Sequence, residues 1–363
     1  MFSNLIEYRQ SFKNYFKGIA PLMSSFYSLM RDRSNLLVPP FCTIIPTYKC
    51  NYNCLHCTLK EKIKCGEELS KEELVDVAKQ IGKSKIWVVS IDGGEPFLRD
   101  DLFELVKVLK NYGKLIYIFT NGSLLESYID DVIRYKVDFL GVSFDSHKST
   151  LHDKLRGFDG AFRKALKAVE LLKKKRKGKY PIIDIKGIIN KSNFGDLISY
   201  IEFFKDVGDN IKLQPIHNNV LHSPKSADLL FKKEDELKFR NSLDILMKKY
   251  KLQRNDYYRL MPDFLFNPNR LLAEGKFKCL FSSAFCVHIQ PWGDVTICKG
   301  RKDMSIGNIR KSKFIDLWRS KKTIEKQRAL RFKKDNCICW LANGQVFNQF
   351  LLKIYNFIRS KHS

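Results

Sequence analysis

Three thiols fall within eight residues of one another in the stretch Thr47-Tyr48-Lys49-Cys50-Asn51-Tyr52-Asn53-Cys54-Leu55-His56-Cys57, directly after an apolar run. The spacing CxxxCxxC constrains what the chain can become. Structural zinc takes four ligands in paired units, and no second pair lies at zinc-finger distance. A disulfide would strand one thiol. Cysteine thiolates are the usual ligands of iron–sulfur clusters, and three of them on a four-iron cube leave one iron open to chemistry.

Short apolar runs alternate with helical patterns from Phe41 onward. Phe41 to Thr47, Ile86 to Ile91, Leu115 to Thr120, Phe139 to Phe144, Ile182 to Ile189 and Ile211 to Ile216 read as six buried strands, each followed by a segment long enough for a helix. Repeated strand–helix units imply a parallel sheet. Ser70 and Glu73 form a capping box with Leu69 and Leu74 as its staple, and a second helix is expected from about Asp101 until Gly113 stops it. The cysteine loop and Ile91-Asp92-Gly93-Gly94-Glu95-Pro96 then both follow strands, at the end where such sheets place their sites.

After Ile216 the pattern weakens. One helix is expected from Glu234 to Tyr250, then an irregular linker to about Lys276. Val287 to Gln290 and Val295 to Cys298, joined by Pro291-Trp292-Gly293-Asp294, read as a hairpin. Cys279 precedes it, and Cys337 and Cys339 follow a further helix.

These motifs together resemble the radical S-adenosylmethionine (radical SAM) superfamily. The resemblance implies an α/β fold, a partial (βα)6 TIM-type barrel. It implies a four-iron, four-sulfur cluster on Cys50, Cys54 and Cys57 whose open iron chelates S-adenosylmethionine, and reductive cleavage of that molecule to a 5′-deoxyadenosyl radical. Gly93, Gly94 and Glu95 look like the family's GGEP motif, which holds the methionyl amino group through backbone and carboxylate. Ser143, Asp145 and Arg156, within Val142-Ser143-Phe144-Asp145, His152-Asp153 and Leu155-Arg156-Gly157, look like the residues that meet the ribose and carboxylate. His56 stands where the family packs a ring near adenine. The C-terminal cysteines resemble the SPASM and shortened twitch extensions, a small α+β unit with an auxiliary four-iron cluster, here with Cys279, Cys298, Cys337 and Cys339 as ligands. Such an extension ordinarily has seven cysteines, and this chain lacks the middle group and ends in CxC where CxxC is commoner, so one auxiliary cluster is expected.

The implied organisation is an amphipathic helical segment at 1–40, the partial barrel at 41–250, a linker at 251–276, the auxiliary cluster unit at 277–340 and an amphipathic helix at 341–363. Bland readings stand beside the functional ones. Cys42 suits the core of the first strand, and Cys65 and Cys286 suit ordinary thiols, although Cys286 could compete with Cys279. Ser143 and Asp145 could cap a turn, Gly93 and Gly94 could form one, and Arg156 could make a surface ion pair. Lys186, Asn190, Gln214 and His217, at the ends of later strands, are candidates to touch substrate, with solvent-facing loop duty as the plainer account.

Composition matters for partners. The net charge is +26, from 65 Lys and Arg against 39 Asp and Glu. The lysines come with many Ile, Asn, Phe and Tyr, a bias that needs no selected partner, and single-sign excess alone specifies no ligand. An acidic flavodoxin- or ferredoxin-like electron donor would suit a basic face, whereas nucleic acid is not expected. The basic first segment reads first as packing on the body and second as a peripheral membrane contact. No apolar run approaches the roughly 18 residues that span a bilayer. No secretory signal opens the chain, and ten cysteines argue for metal ligation in a reducing compartment, so a cytoplasmic location is expected.

The expected function is therefore that of an oxidoreductase-type enzyme that abstracts hydrogen from an unidentified organic substrate (a small molecule, sugar or peptide) and oxidises or rearranges it while an auxiliary cluster relays electrons, with a tilt toward a small molecule or free-standing peptide. The alternative, from another class, is a basic iron–sulfur protein whose clusters are structural and whose surface engages RNA or an anionic membrane. A GGEP-like cradle has no purpose in that alternative.

Overall fold

The computed structural model describes residues 38–58, 66–217, 226–253, 255–273, 279–299 and 301–331. The segments 1–37 and 332–363, which include Cys337, Cys339 and both terminal amphipathic segments, lie outside the described residues, as does Cys65.

Six strand–helix units run β1 (Phe41–Ile44), α1 (Lys71–Lys83), β2 (Val88–Ile91), α2 (Leu102–Asn111), β3 (Leu115–Thr120), α3 (Ile129–Arg134), β4 (Phe139–Ser143), α4 (Ser149–Arg156), α5 (Ala161–Lys175), β5 (Ile182–Ile189), α6 (Leu197–Phe204) and β6 (Asn210–Pro215). The strands lie side by side in chain order and all are parallel. This is the expected partial barrel, built as an open sheet. Alternation explains its two faces. Cys42, Ile44, Val89, Ile91, Ile116, Ile118, Leu140, Val142, Ile183 and Ile185 point to the helices and are fully buried. Thr43, Ser90, Tyr117, Phe119, Gly141, Ser143, Asp184 and Lys186 lie on the opposite, inner face. Cys42 is thus the core residue its strand position implied.

Local signals account for the helices. Ser70 accepts the Glu73 amide at 3.2 Å while the Glu73 carboxylate accepts the Ser70 amide at 2.8 Å, and Leu69 and Leu74 are both buried. The second helix begins just after Asp101, whose carboxylate binds Arg99 rather than capping it, and ends two residues before Gly113, which takes the left-handed conformation at φ +71°. Gly157 caps α4 in the same left-handed conformation, at φ +59°.

The C-terminal part holds two surprises. After α7 (Glu236–Lys249), the stretch read as an irregular linker contains three short helices, α8 (Asp256–Arg259), α9 (Met261–Phe266) and α10 (Pro268–Ala273), with Tyr257, Tyr258, Met261 and Phe264 buried. Its aromatic residues pack in single turns, which leave no period long enough to read. Following α11 (Leu280–Ala284), the expected hairpin forms from β7 (Cys286–Ile289) and β8 (Asp294–Thr296), and β9 (Ser305–Asn308) adds to it antiparallel. The hairpin does not stand apart. Strand β7 pairs parallel with β1, so one nine-stranded sheet runs β6-β5-β4-β3-β2-β1-β7-β8-β9.

Two helices close the described chain, α12 (Phe314–Arg319) and α13 (Lys321–Arg331). The Phe314 amide donates to Gln80 of α1 at 2.8 Å, and Trp318 is fully buried in the same continuous core as the barrel strands. Trp318→Ala should therefore cost about 3–5 kcal/mol. Because the core is shared, chemical denaturation should still give one transition, shifted as a whole. A separate early transition for the C-terminal part would contradict this packing.

Candidate active site

The cysteine loop leaves the end of β1 and is gripped from three sides. First, the Gly94 amide donates to the Thr47 carbonyl at 3.0 Å and the Glu95 amide to the Lys49 carbonyl at 2.9 Å. The two backbones lie so close that a Cβ on Gly94 would stand 2.0 Å from the Lys49 oxygen, and one on Gly93, at φ +142°, 2.3 Å from the Thr47 oxygen. Only glycine fits there. Second, the Leu55 amide donates to Leu155 at 2.9 Å, and a Cβ on Gly157 would lie 2.4 Å from the Asn53 oxygen. Third, Tyr48 reaches the C-terminal hairpin, its hydroxyl donating to Gln290 at 2.5 Å.

The thiols meet donors that suit thiolates. The Tyr52 amide points to Cys50 Sγ at 3.5 Å and Asn121 Nδ2 at 3.8 Å, while Arg156 Nη1 lies 4.0 Å from Cys54 Sγ. N–H groups aimed at sulfur tune a bound cluster. Burial pushes the Cys54 thiol up to about 11 against the pull of Arg156, and raises Cys50 as well, so loading iron must displace protons. Cys50 and Cys57 pack against the small buried cluster of Tyr52, Cys54 and Ala161. The donor set fits a cluster on this loop.

Glu95 is fully buried and its carboxylate is engaged by three protein donors: the Phe97 amide at 3.2 Å, Thr120 Oγ1 at 2.9 Å and the Asn121 amide at 2.7 Å. It braces the glycine loop against the end of β3. Asn121 goes on to bond Asn51 at 2.9 Å, which ties the brace to the cysteine loop. Sequence reasoning missed Thr120 and Asn121. The Thr-Asn-Gly run at the end of β3 was the available signal, since polar residues at a strand's C-terminal end enter the site.

Beyond β4 lies a second buried network. Asp145 Oδ2 stands 2.9 Å from Arg156 Nε and 3.7 Å from His56 Nδ1. The Asp145 amide donates to His152 Nδ1 at 3.1 Å, and Asp145 Oδ1 accepts from Ile188. Burial works against the Asp145 charge, yet Arg156 keeps its carboxyl below the usual carboxylate range. His56 is pushed down to about 4, mainly by burial, so its imidazole is neutral near pH 7. Arg156 is therefore no surface ion pair. Ser143 sits half-buried at the end of β4, directly opposite Lys186 of β5.

The remaining candidates separate. Cys279 caps α11, and Cys298 follows β8 and packs on the main core. Cys286 is buried on β7 with its sulfur 3.7 Å from His288 Nε2. Among the substrate-side candidates, Asn190 and His217 are buried rather than solvent-facing. Asn190 accepts the Ser192 amide within a turn, and His217 packs edge-on to Phe264.

Comparison with known proteins decides the family. A model of the radical SAM superfamily matches residues 44–203, and one of the SPASM iron–sulfur cluster-binding domain matches 279–340. The chain belongs to the radical SAM superfamily. Its cofactors follow: a four-iron cluster with S-adenosylmethionine on the barrel, and auxiliary iron–sulfur in the SPASM region. An AdoMet-dependent heme synthase of Methanosarcina barkeri is 27% identical over 81% of this chain and 86% of that protein. A probable GTP 3′,8-cyclase of Saccharolobus solfataricus is 30% identical over 53% of this chain and 60% of its own length. Among solved structures, anSMEcpe with bound AdoMet superposes with a TM-score of 0.60 at 19% identity, over 88% of this chain and 96% of that one, a likeness of fold. No described helix is long and apolar enough to cross a membrane.

The Glu95 brace yields a prediction. Burial pushes its carboxyl up to about 7, above the ordinary 4.5, so the folded state binds the extra proton between those values. Wild-type stability therefore falls as pH rises through that window, by up to about 3 kcal/mol from this group. Glu95→Gln lacks the titration. Relative to wild type, it should gain stability between pH 5 and pH 8 in denaturant titrations, and a pH-independent difference would rule the brace out as the source.

Proposed function

We propose that this chain is a radical SAM enzyme that abstracts a hydrogen atom from a tetrapyrrole and so oxidises or rearranges it in heme formation. The observation that carries this reading is the extent of the match to the heme synthase, which spans four-fifths of this chain and most of the relative. The cyclase match does not bear on a tetrapyrrole, and it spans only 53% of this chain and 60% of that protein.

When bound and reduced, the cluster supplies the electron that cleaves S-adenosylmethionine and thereby creates the hydrogen-abstracting species. The chain's own residues do the positioning. Cys50, Cys54 and Cys57 hold iron, and Gly93 and Gly94 let backbone approach the amino-acid end of the cofactor. Glu95 keeps that backbone in place through its brace. Ser143, Asp145 and Arg156 present polar groups to the ribose and carboxylate, and neutral His56 offers a ring to adenine. A one-electron reductant is required, and a small acidic donor of the flavodoxin or ferredoxin type suits the basic chain.

Anaerobic incubation of reconstituted protein with S-adenosylmethionine and reductant should release 5′-deoxyadenosine, and adding a tetrapyrrole acid should accelerate it. Replacing Cys50, Cys54 and Cys57 together with Ala should abolish release while the chain still folds. Undiminished release from that variant would remove the assignment of the loop, and indifference to every tetrapyrrole tried would remove the substrate.

A second four-iron cluster on Cys279, Cys298, Cys337 and Cys339 would be closed by four thiolates, which suits electron relay rather than substrate binding. Wild type should then hold about eight irons per chain, and the variant lacking the first three cysteines about four. Cys298→Ala with Cys337→Ala should remove one cluster and spare part of the uncoupled cofactor cleavage. About four irons in fully reconstituted wild type would exclude the second cluster.

A further inference from the structure

The inner face of the sheet holds a cation with no counter-charge of its own. Lys186 of β5 and Lys212 of β6 are directly opposite each other in the strand register. Like charges placed this way repel, and a fold keeps them at a cost. The nearby carboxylate, Asp184, is already committed. Its Oδ2 takes the Tyr117 hydroxyl and the Lys212 ammonium, and its Oδ1 takes Asn210 at 2.9 Å. Asp92 is paired with Lys299 at 2.6 Å. Among the described residues Lys186 has neither a carboxylate nor a hydrogen-bond partner. Its Nζ lies 5.2 Å from the centre of the Phe119 ring and 5.9 Å from that of Tyr117.

The surroundings have the shape of a floor. Tyr117 and Phe119 stack with centroids 4.2 Å apart, and Gly141, opposite Phe119, leaves room for them, since a Cβ there would stand 2.8 Å from the Phe119 ring. Lys186 faces Ser143, two residues before Asp145, so the cation lies toward the end of the sheet that carries the cysteine loop. Burial, with Lys212 adding to it, pushes the Lys186 ammonium down to about 7, and an arriving anion would favour its protonated form.

We propose that Lys186, seconded by Lys212, forms a subsite on the inner face for an anionic group of the substrate, a carboxylate or phosphate lying beside the Tyr117–Phe119 floor. This rests on the tetrapyrrole reading proposed above, with the substrate seated on the inner face, and it names the chemistry of the group that is held.

Two measurements on the full, cluster-loaded chain test it. In protein carrying 13C at the lysine Cε, the Lys186 signal is assigned by its absence from Lys186→Arg. Succinate or pyrophosphate should move that signal saturably in wild type and not in Lys212→Met. A response to succinate marks a carboxylate subsite and one to pyrophosphate a phosphate subsite; no saturable movement with either overturns the proposal. Separately, fluorescence titration should show protoporphyrin IX binding at least about tenfold more tightly than its dimethyl ester. Lys186→Met should erase that preference and Lys186→Arg should keep it. If the anions move the signal but neither porphyrin binds, the tetrapyrrole reading falls and the subsite stands. If both porphyrins bind alike and the anions do nothing, the subsite falls and the tetrapyrrole reading stands.

Discussion

The site depends on a seam between two backbones. The cysteine loop and the glycine loop bond main chain to main chain, at distances that exclude any side chain at Gly93 or Gly94. Such a seam fixes the position of three sulfurs without using the sulfurs themselves, so the loop can be formed before iron arrives. Glu95 then transmits the position of the seam to β3, and Gly157 does the same for α4. Preorganisation of this kind removes the ordering cost from the moment of cofactor binding.

Charge is handled differently on the two sides of the cysteine loop. Toward β3, one carboxylate is surrounded by neutral donors and holds its proton close to neutrality. Toward β4, Asp145 is ionised because Arg156 stands beside it, and the neighbouring histidines stay neutral under burial. Two acids, one after β2 and one after β4, thus differ in state for a physical reason: Asp145 has a buried cation and Glu95 has only dipoles.

Much of this could be read from the residues. The six parallel strands were legible because each is buried on its helix-covered face and bounded by turn residues, and β3 and β5 match their apolar runs end to end. The capping box at Ser70 was legible because it is local. What stayed hidden was non-local. The alternation of Val287 to Gln290 announces a strand, but nothing in it names β1 as the partner. The identity of Glu95 announces a carboxylate, but two of its three donors lie 25 and 26 residues away at Thr120 and Asn121. The helices between Asp256 and Ala273 were missed because none completes enough turns to show a period. Lys186 was visible as a polar strand residue, but only the β5–β6 register reveals the opposing Lys212.

The pairing of β7 with β1 has a consequence for how the protein is made. The first described strand keeps one edge of its backbone without its β7 partner until the hairpin is synthesised, and the Tyr48–Gln290 contact joins residues 242 apart. Contacts of such separation form late and slow the search for the native state. Until then the nascent barrel exposes an unpaired edge beside the cysteine loop, which invites association. Maturation by iron is thereby coupled to completion of the chain, and a nascent chain stalled before the hairpin would have its cysteines in place without one wall of the socket that holds them.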